Sequence, residues 1–166
     1  MKLKHFYRQS KANQNYLIEM FAFLPFIIMV FSGLIMIRFH TSEDKILFVW
    51  GISKSQWLFF HKICSGVASS MVVWHLAQHF YWIQQFFTLK LKNKFKFLNG
   101  ALFIVFLLTA ITSTLSWLVF GESFIGNALR GLHSKLGFVS IILFFFHIKN
   151  YLHWIKKMTT KLINLK

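Results

Sequence analysis

The sequence predicts an all-α integral membrane protein, a bundle of four transmembrane helices in one membrane domain covering residues 1–166. Three observations lead there. The chain is 56% apolar, with 22 phenylalanines and a positive mean hydropathy, a composition that a water-soluble domain of this size does not carry. Its apolar residues fall into four runs, each long enough to cross ~30 Å of hydrocarbon. Its lysines and arginines flank those runs instead of lining a polar face.

The four spans are expected at about 16–37, 57–87, 97–120 and 133–155. The first is interrupted only by Glu19 and by Pro25, which is expected to kink the helix. It is too long for the apolar core of a signal peptide and is followed by no small-residue cleavage site, so it reads as a retained span. The second, as one helix, would be about 46 Å long and would have to tilt or protrude. The third carries no charge.

Charge orients the spans. Lys2, Lys4, Arg8 and Lys11 precede the first, and Lys90, Lys92, Lys94 and Lys96 lie between the second and third. Lys149, Lys156, Lys157, Lys161 and Lys166 gather at the C-terminal end. The remaining two loops hold Glu43, Asp44 and Glu122, three of the four acids. By the positive-inside rule both termini and the Lys90–Lys96 loop are cytoplasmic. The net charge of +15 then reflects attraction to an anionic membrane surface, and nucleic acid is set aside as a partner.

Within this frame lies an internal repeat of two helices. His61 stands 14 residues before His75, and His133 stands 14 residues before His147, the two pairs being offset by 72 residues. Extended, the copies read HLAQHFYWI from His75 and HIKNYLHWI from His147. Fourteen residues fall about 40° short of four full helical turns, so each pair shares a face, and its members differ in depth by ~21 Å. The second and fourth spans run in the same direction, which puts His61 level with His133 and His75 level with His147. Histidine inside a membrane is costly without a partner and signals function. Two matched pairs on facing helices suit two haem irons, each held by one imidazole from either side. Cys64 is the only cysteine and no Cys-x-x-Cys-His occurs, so such a haem is held by ligation alone. With both axial positions filled, electron transfer is favoured over oxygen chemistry.

Other residues fit this expectation. His79, one turn beyond His75, lies five whole turns from His61 and is an alternative to His75; the repeat aligns it with Tyr151 instead. His153 aligns with Tyr81, and His5 and His40 read as tail and interfacial residues. Gly33, Gly66 and Gly137 are small enough to admit a flat macrocycle near the backbone. Arg38, Lys62, Arg130 and Lys135 lie near the outer helix ends, where they suit the outer haem's propionates. Gln78, Lys149 and Asn150 are the inner counterparts. Glu19 reads as an interfacial acid, with proton uptake beside a quinone as the other option, and Trp82 and Trp154 as an aromatic belt.

The stretch from Trp50 through Gly51, Ile52, Ser53, Lys54, Ser55 and Gln56 to Trp57, followed by His61, His75 and Trp82, resembles the flavinylation-associated cytochromes. These are small bacterial di-haem membrane cytochromes b. The 14-residue histidine pairs also resemble the wider group that includes the cytochrome b subunits of formate dehydrogenase and nickel-iron hydrogenase. The likeness covers about residues 16–87, and in the second half His133, Gly137, His147 and Trp154. It implies two b-type haems (iron protoporphyrin IX) ligated by His61, His75, His133 and His147, and a multi-pass protein of the bacterial inner membrane. It further implies exchange of electrons with quinone or with haem- or flavin-bearing partner proteins. The family's glycine four residues after His61 is here Ser65, with Gly66 next.

Two other classes remain open at this point. One is the membrane subunit of a ferric- or flavin-linked reductase, although no Gly-x-Gly-x-x-Gly or soluble domain occurs in the chain. The other is a non-redox metal transporter or structural subunit, although spans two to four contain no acid. The chain offers no catalytic base or nucleophile of its own.

Overall fold

The computed structural model describes residues 2–41, 47–92 and 94–164, with side chains for 12–39 of the first segment. The side chains of Lys2, Lys4, His5, Arg8, Lys11 and His40, and residues Glu43, Asp44 and Lys166, lie outside this set. The structure is mostly helical, at 86%, which bears out the all-α class. Three helices are long and apolar enough to cross a membrane, over Ala12–Phe39, Lys96–Val119 and Phe124–Ile163. Phe21, Leu24, Trp74, Leu118 and Phe145 stand exposed on the helices, which a lipid surface tolerates and water does not.

Helix α1 (Lys2–Thr41) runs through Pro25 as one element. A two-residue hairpin follows, β1 (Phe48–Val49) and β2 (Ile52–Ser53), antiparallel with Val49 opposite Ile52. Then come α2 (Lys54–Gln78), α3 (Phe80–Phe87), α4 (Lys96–Thr114), a π-helical turn (Leu115–Val119) and α5 (Phe124–Ile163). The chain divides into two compact units, one of residues 1–84 with 152–166, the other of residues 85–151.

The expected second span differs in form. α2 ends at Gln78 and α3 starts at Phe80, with His79 between them at φ −99° and ψ 22°. Its N–H is shared between the His75 and Leu76 carbonyls at 3.2 and 3.1 Å, a tightening to i→i+3 bonding that ends an α-helix. The break leaves α2 with 25 residues, about 37 Å of helix, closer to a bilayer's thickness than the unbroken span. α2 also falls outside the set of membrane-spanning helices, because His61, Lys62, Ser65, Ser69, Ser70 and His75 dilute its apolar residues. The histidines are also deeper in their helices than expected. His61 lies two turns inside α2, because the hairpin and cap start the helix at Lys54. His133 lies well inside α5, where Ser123 Oγ accepts the Gly126 N–H at 3.1 Å and so starts the helix nine residues earlier.

The segment from Trp50 to Trp57 is a helix-starting device. Trp50 and Gly51 have φ of 52° and 75°, the pair of left-handed residues that a tight type I′ hairpin turn requires. Ser53 caps α2 in a capping box: Ser53 Oγ accepts the Gln56 N–H at 3.4 Å, and Gln56 Oε1 accepts the Ser53 N–H at 2.9 Å. Trp57 Nε1–H donates to Val49 O at 3.2 Å, and the indole is buried with Ile35, Met36 and Val49. The hairpin thus ties the start of α2 to the end of α1 through Trp57, one turn before His61.

Ser53→Ala should lower stability by about 1 kcal/mol by removing the cap, and Gly51→Ala by a similar amount by forcing a Cβ into left-handed backbone. Gly131→Ala, where an added Cβ meets nothing within 4 Å, should be neutral or stabilising. Thermal unfolding in detergent, followed by circular dichroism, distinguishes these outcomes.

Candidate metal and cofactor centre

In the first unit α1 and α2 run antiparallel, and each histidine of α2 meets an oxygen of α1. Ser32 is fully buried. Its hydroxyl donates its single proton to Met29 O at 2.9 Å. The 2.9 Å contact of Ser32 Oγ with His61 Nδ1 is therefore one in which the ring nitrogen donates. Beside it, a Cβ built on Gly33 would stand 3.2 Å from His61 Cε1, so only glycine lets the imidazole lie this close to α1. Towards the other end of the pair, Glu19 Oε1 lies 4.0 Å from His75 Nδ1 and 3.5 Å from His79 Nε2. The two rings are 4.7 Å apart and tilted by 51°.

The second unit repeats the arrangement between α4 and α5. His133 Nδ1 lies 3.1 Å from Thr109 O. A carbonyl only accepts, so the ring nitrogen again donates. His147 Nδ1 lies 3.1 Å from Asn99 Oδ1, while Asn99 Nδ2 donates to Tyr151 Oη at 3.0 Å. In this orientation the amide oxygen accepts and His147 Nδ1 donates. The His147 and Tyr151 rings are 4.9 Å apart, tilted by 43°. The Asn99–His147–Tyr151 set therefore matches the Glu19–His75–His79 set, with Tyr151 in the place of His79 as the repeat aligns them.

Three of the four matched histidines thus carry their proton on Nδ1, and the fourth turns Nδ1 toward a carboxylate. A neutral imidazole protonated on Nδ1 has its lone pair on Nε2. This is the arrangement of metal-ligating histidines, whose second nitrogen donates to a carbonyl, carboxylate or similar acceptor that fixes the tautomer and the ring. The donor set fits haem iron, which takes axial imidazole nitrogen. Glu19, His75 and His79 also offer three ligand atoms within 4.8 Å of one another, enough to hold a metal ion.

The supporting residues divide. An added Cβ at Gly66 or Gly137 meets nothing within 4 Å, so both helix faces are open at the backbone there. Arg38 and Lys135 are exposed and Lys62 is half-buried. Arg130 is committed elsewhere: its guanidinium donates to Gly121 O, Glu122 Oε2 and Asn127 Oδ1, closing the turn before α5. Gln78 Oε1 is buried with no hydrogen-bond partner. Lys149 is exposed and Asn150 half-buried.

Sequence reasoning overlooked the oxygen partners. Composition and spacing make Glu19 an interfacial acid and single out neither Ser32, Asn99 nor the Thr109 carbonyl. Asn99 carried a usable signal as a carboxamide near the start of an uncharged apolar span; a backbone carbonyl carries none. No protein-family model, curated protein or solved structure matches this chain.

Asn99→Leu removes the partner of both His147 and Tyr151 and should lower stability by about 1–3 kcal/mol. Thr109→Val should cost much less, because the acceptor of His133 is main chain. Chemical and thermal unfolding in micelles checks the contrast.

Proposed function

We propose that this chain is a transmembrane electron-transfer protein of the di-haem b-type cytochrome class, a four-helix bundle with cytoplasmic termini in the bacterial inner membrane. The observation that carries the reading is the shared orientation of the matched imidazoles, each with Nδ1 turned to an oxygen of the preceding helix. Satisfying a polar nitrogen in an apolar helix accounts for one such ring; four of them spaced alike in two helices suit ligation by Nε2, which this orientation favours.

In this reading His61 and His133 ligate the outer iron, and His75 and His147 the inner one, as the equal spacing of the two pairs suggests. The equivalence of His79 with Tyr151 favours His75 as the inner ligand, since a tyrosine holds the corresponding place in the second copy. When bound, the two haems would supply reversible one-electron Fe(III)/Fe(II) chemistry. Ser32, the Thr109 carbonyl and Asn99 orient the rings of His61, His133 and His147, and Glu19 stands at the Nδ1 edge of His75. Gly33 admits the His61 ring, and Gly66 and Gly137 leave room for a flat group. Arg38, Lys62 and Lys135 are the cations suited to propionates. The electron is exchanged between a haem- or flavin-bearing partner protein on the outer side and quinone or an acceptor on the other face.

A second reading, a divalent-metal site in a non-redox membrane protein, draws on the Glu19, His75 and His79 cluster. It makes no use of His61, His133 or His147, whose Nδ1 contacts would then serve only to satisfy the rings.

Full-length protein, expressed with ample porphyrin supply and purified in detergent, should carry two haems per chain and show a sharp dithionite-reduced band. His61→Ala or His133→Ala should remove one haem and His75→Ala or His147→Ala the other. The double variant of His61 and His133 should lose no more than either single one, whereas that of His61 and His75 should lose both. His79→Ala should keep both. Colourless wild-type protein, or loss of the inner haem in His79→Ala, would contradict the reading or its register respectively.

A further inference from the structure

The two deep clusters are built alike and differ in one charge. Asn99, His147 and Tyr151 form an uncharged set. Glu19, His75 and His79 place a carboxylate where the other copy has a carboxamide. Ser32 and the Thr109 carbonyl, at the remaining two histidines, are also neutral. Glu19 is the only acid between Ala12 and Phe39, and α2, α4 and α5 contain none. Its side chain is 24% exposed, between rings that are 30% and 39% exposed. An acid in an apolar span is costly and is retained for function by default. Here it faces the Nδ1 edge of one of the four matched rings and none of the other three.

We infer that Glu19 is a positioning residue that sets the reduction potential of one haem apart from the other. The inference rests on the di-haem reading. At 4.0 Å from Nδ1 of His75 the carboxylate acts chiefly through its field: its negative charge raises the electron density on the ring and favours donation from Nε2 to the iron. Both this donation and the negative charge stabilise Fe(III) over Fe(II), so the haem ligated by His75 has the lower potential of the two. His79, whose Nε2 is 3.5 Å from the same oxygen, holds the carboxylate from its other side, as Tyr151 holds Asn99. The result is a fixed energetic step between the deep and shallow irons, made by one side chain rather than by a difference in ligands.

Redox titration of the full-length di-haem protein in detergent, followed in the reduced absorbance band, tests this. Wild type should show two midpoints. Glu19→Gln should raise only the lower one, by about tenfold in the reduction equilibrium constant, or ~59 mV for one electron. Glu19→Asp should restore most of the difference. In case Glu19→Gln fails to fold, Asn99→Asp places a second carboxylate against His147 and should lower the same midpoint. Ser32→Asp, beside His61, should lower the other one instead. Two haems whose midpoints ignore Glu19→Gln, or move together by equal amounts, would overturn the role of Glu19 while leaving the di-haem reading intact. Haem-free wild-type protein that takes up one Zn2+ per chain, lost in Glu19→Gln, would overturn both.

Discussion

An imidazole in an apolar helix has two nitrogens, and hydrocarbon satisfies neither. Each unsatisfied polar group there costs several kcal/mol, whereas the bond that satisfies it returns only about 0.6 to 1.7 kcal/mol between membrane helices. The hydrogen bonds from His61, His133 and His147 therefore contribute little to stability. Their effect is directional. Each fixes a ring against the neighbouring helix and commits Nδ1 to donation, and the chemistry open to the other nitrogen follows from that commitment.

The rest of the architecture serves those contacts. α1 and α2 run antiparallel because the hairpin at Trp50 and Gly51 reverses the chain and the Ser53 box starts the next helix at once. Trp57 pins that start to Ile35, Met36 and Val49, which puts His61 beside Ser32 and, down the same pair, His75 beside Glu19. In the other unit Gly100, where a Cβ would stand 2.5 Å from the Phe86 ring, lets α4 lie against that ring next to Asn99. Thr109 Oγ1 turns back to Val105 O at 2.7 Å, and it is the Thr109 carbonyl that His133 meets.

The internal repeat is conserved in geometry more than in residue type. A hydroxyl in one copy answers a carbonyl in the other, a carboxylate answers a carboxamide, and histidine answers tyrosine. What persists is an oxygen facing Nδ1 at each of the four histidines. An aromatic ring one helical turn beyond the deeper histidine persists with it. Among the four oxygen partners only Glu19, beside His75, is a carboxylate.

Membrane class, helix content and the four matched histidines were legible in the sequence, because apolar run length and a 14-residue spacing are one-dimensional properties that follow from helical rise and bilayer thickness. The stretch from Trp50 to Trp57 stood out in the sequence, but its hairpin turn, its capping box and their joint work of starting α2 at Lys54 did not. The break at His79 and the early start of α5 escaped, since both depend on which local carbonyl or hydroxyl an N–H meets. The partners of the rings belong wholly to the tertiary structure. Ser32, Glu19, Asn99 and the Thr109 carbonyl lie tens of residues from their histidines, and no pattern along a single strand of sequence says which oxygen on a neighbouring helix a ring will face.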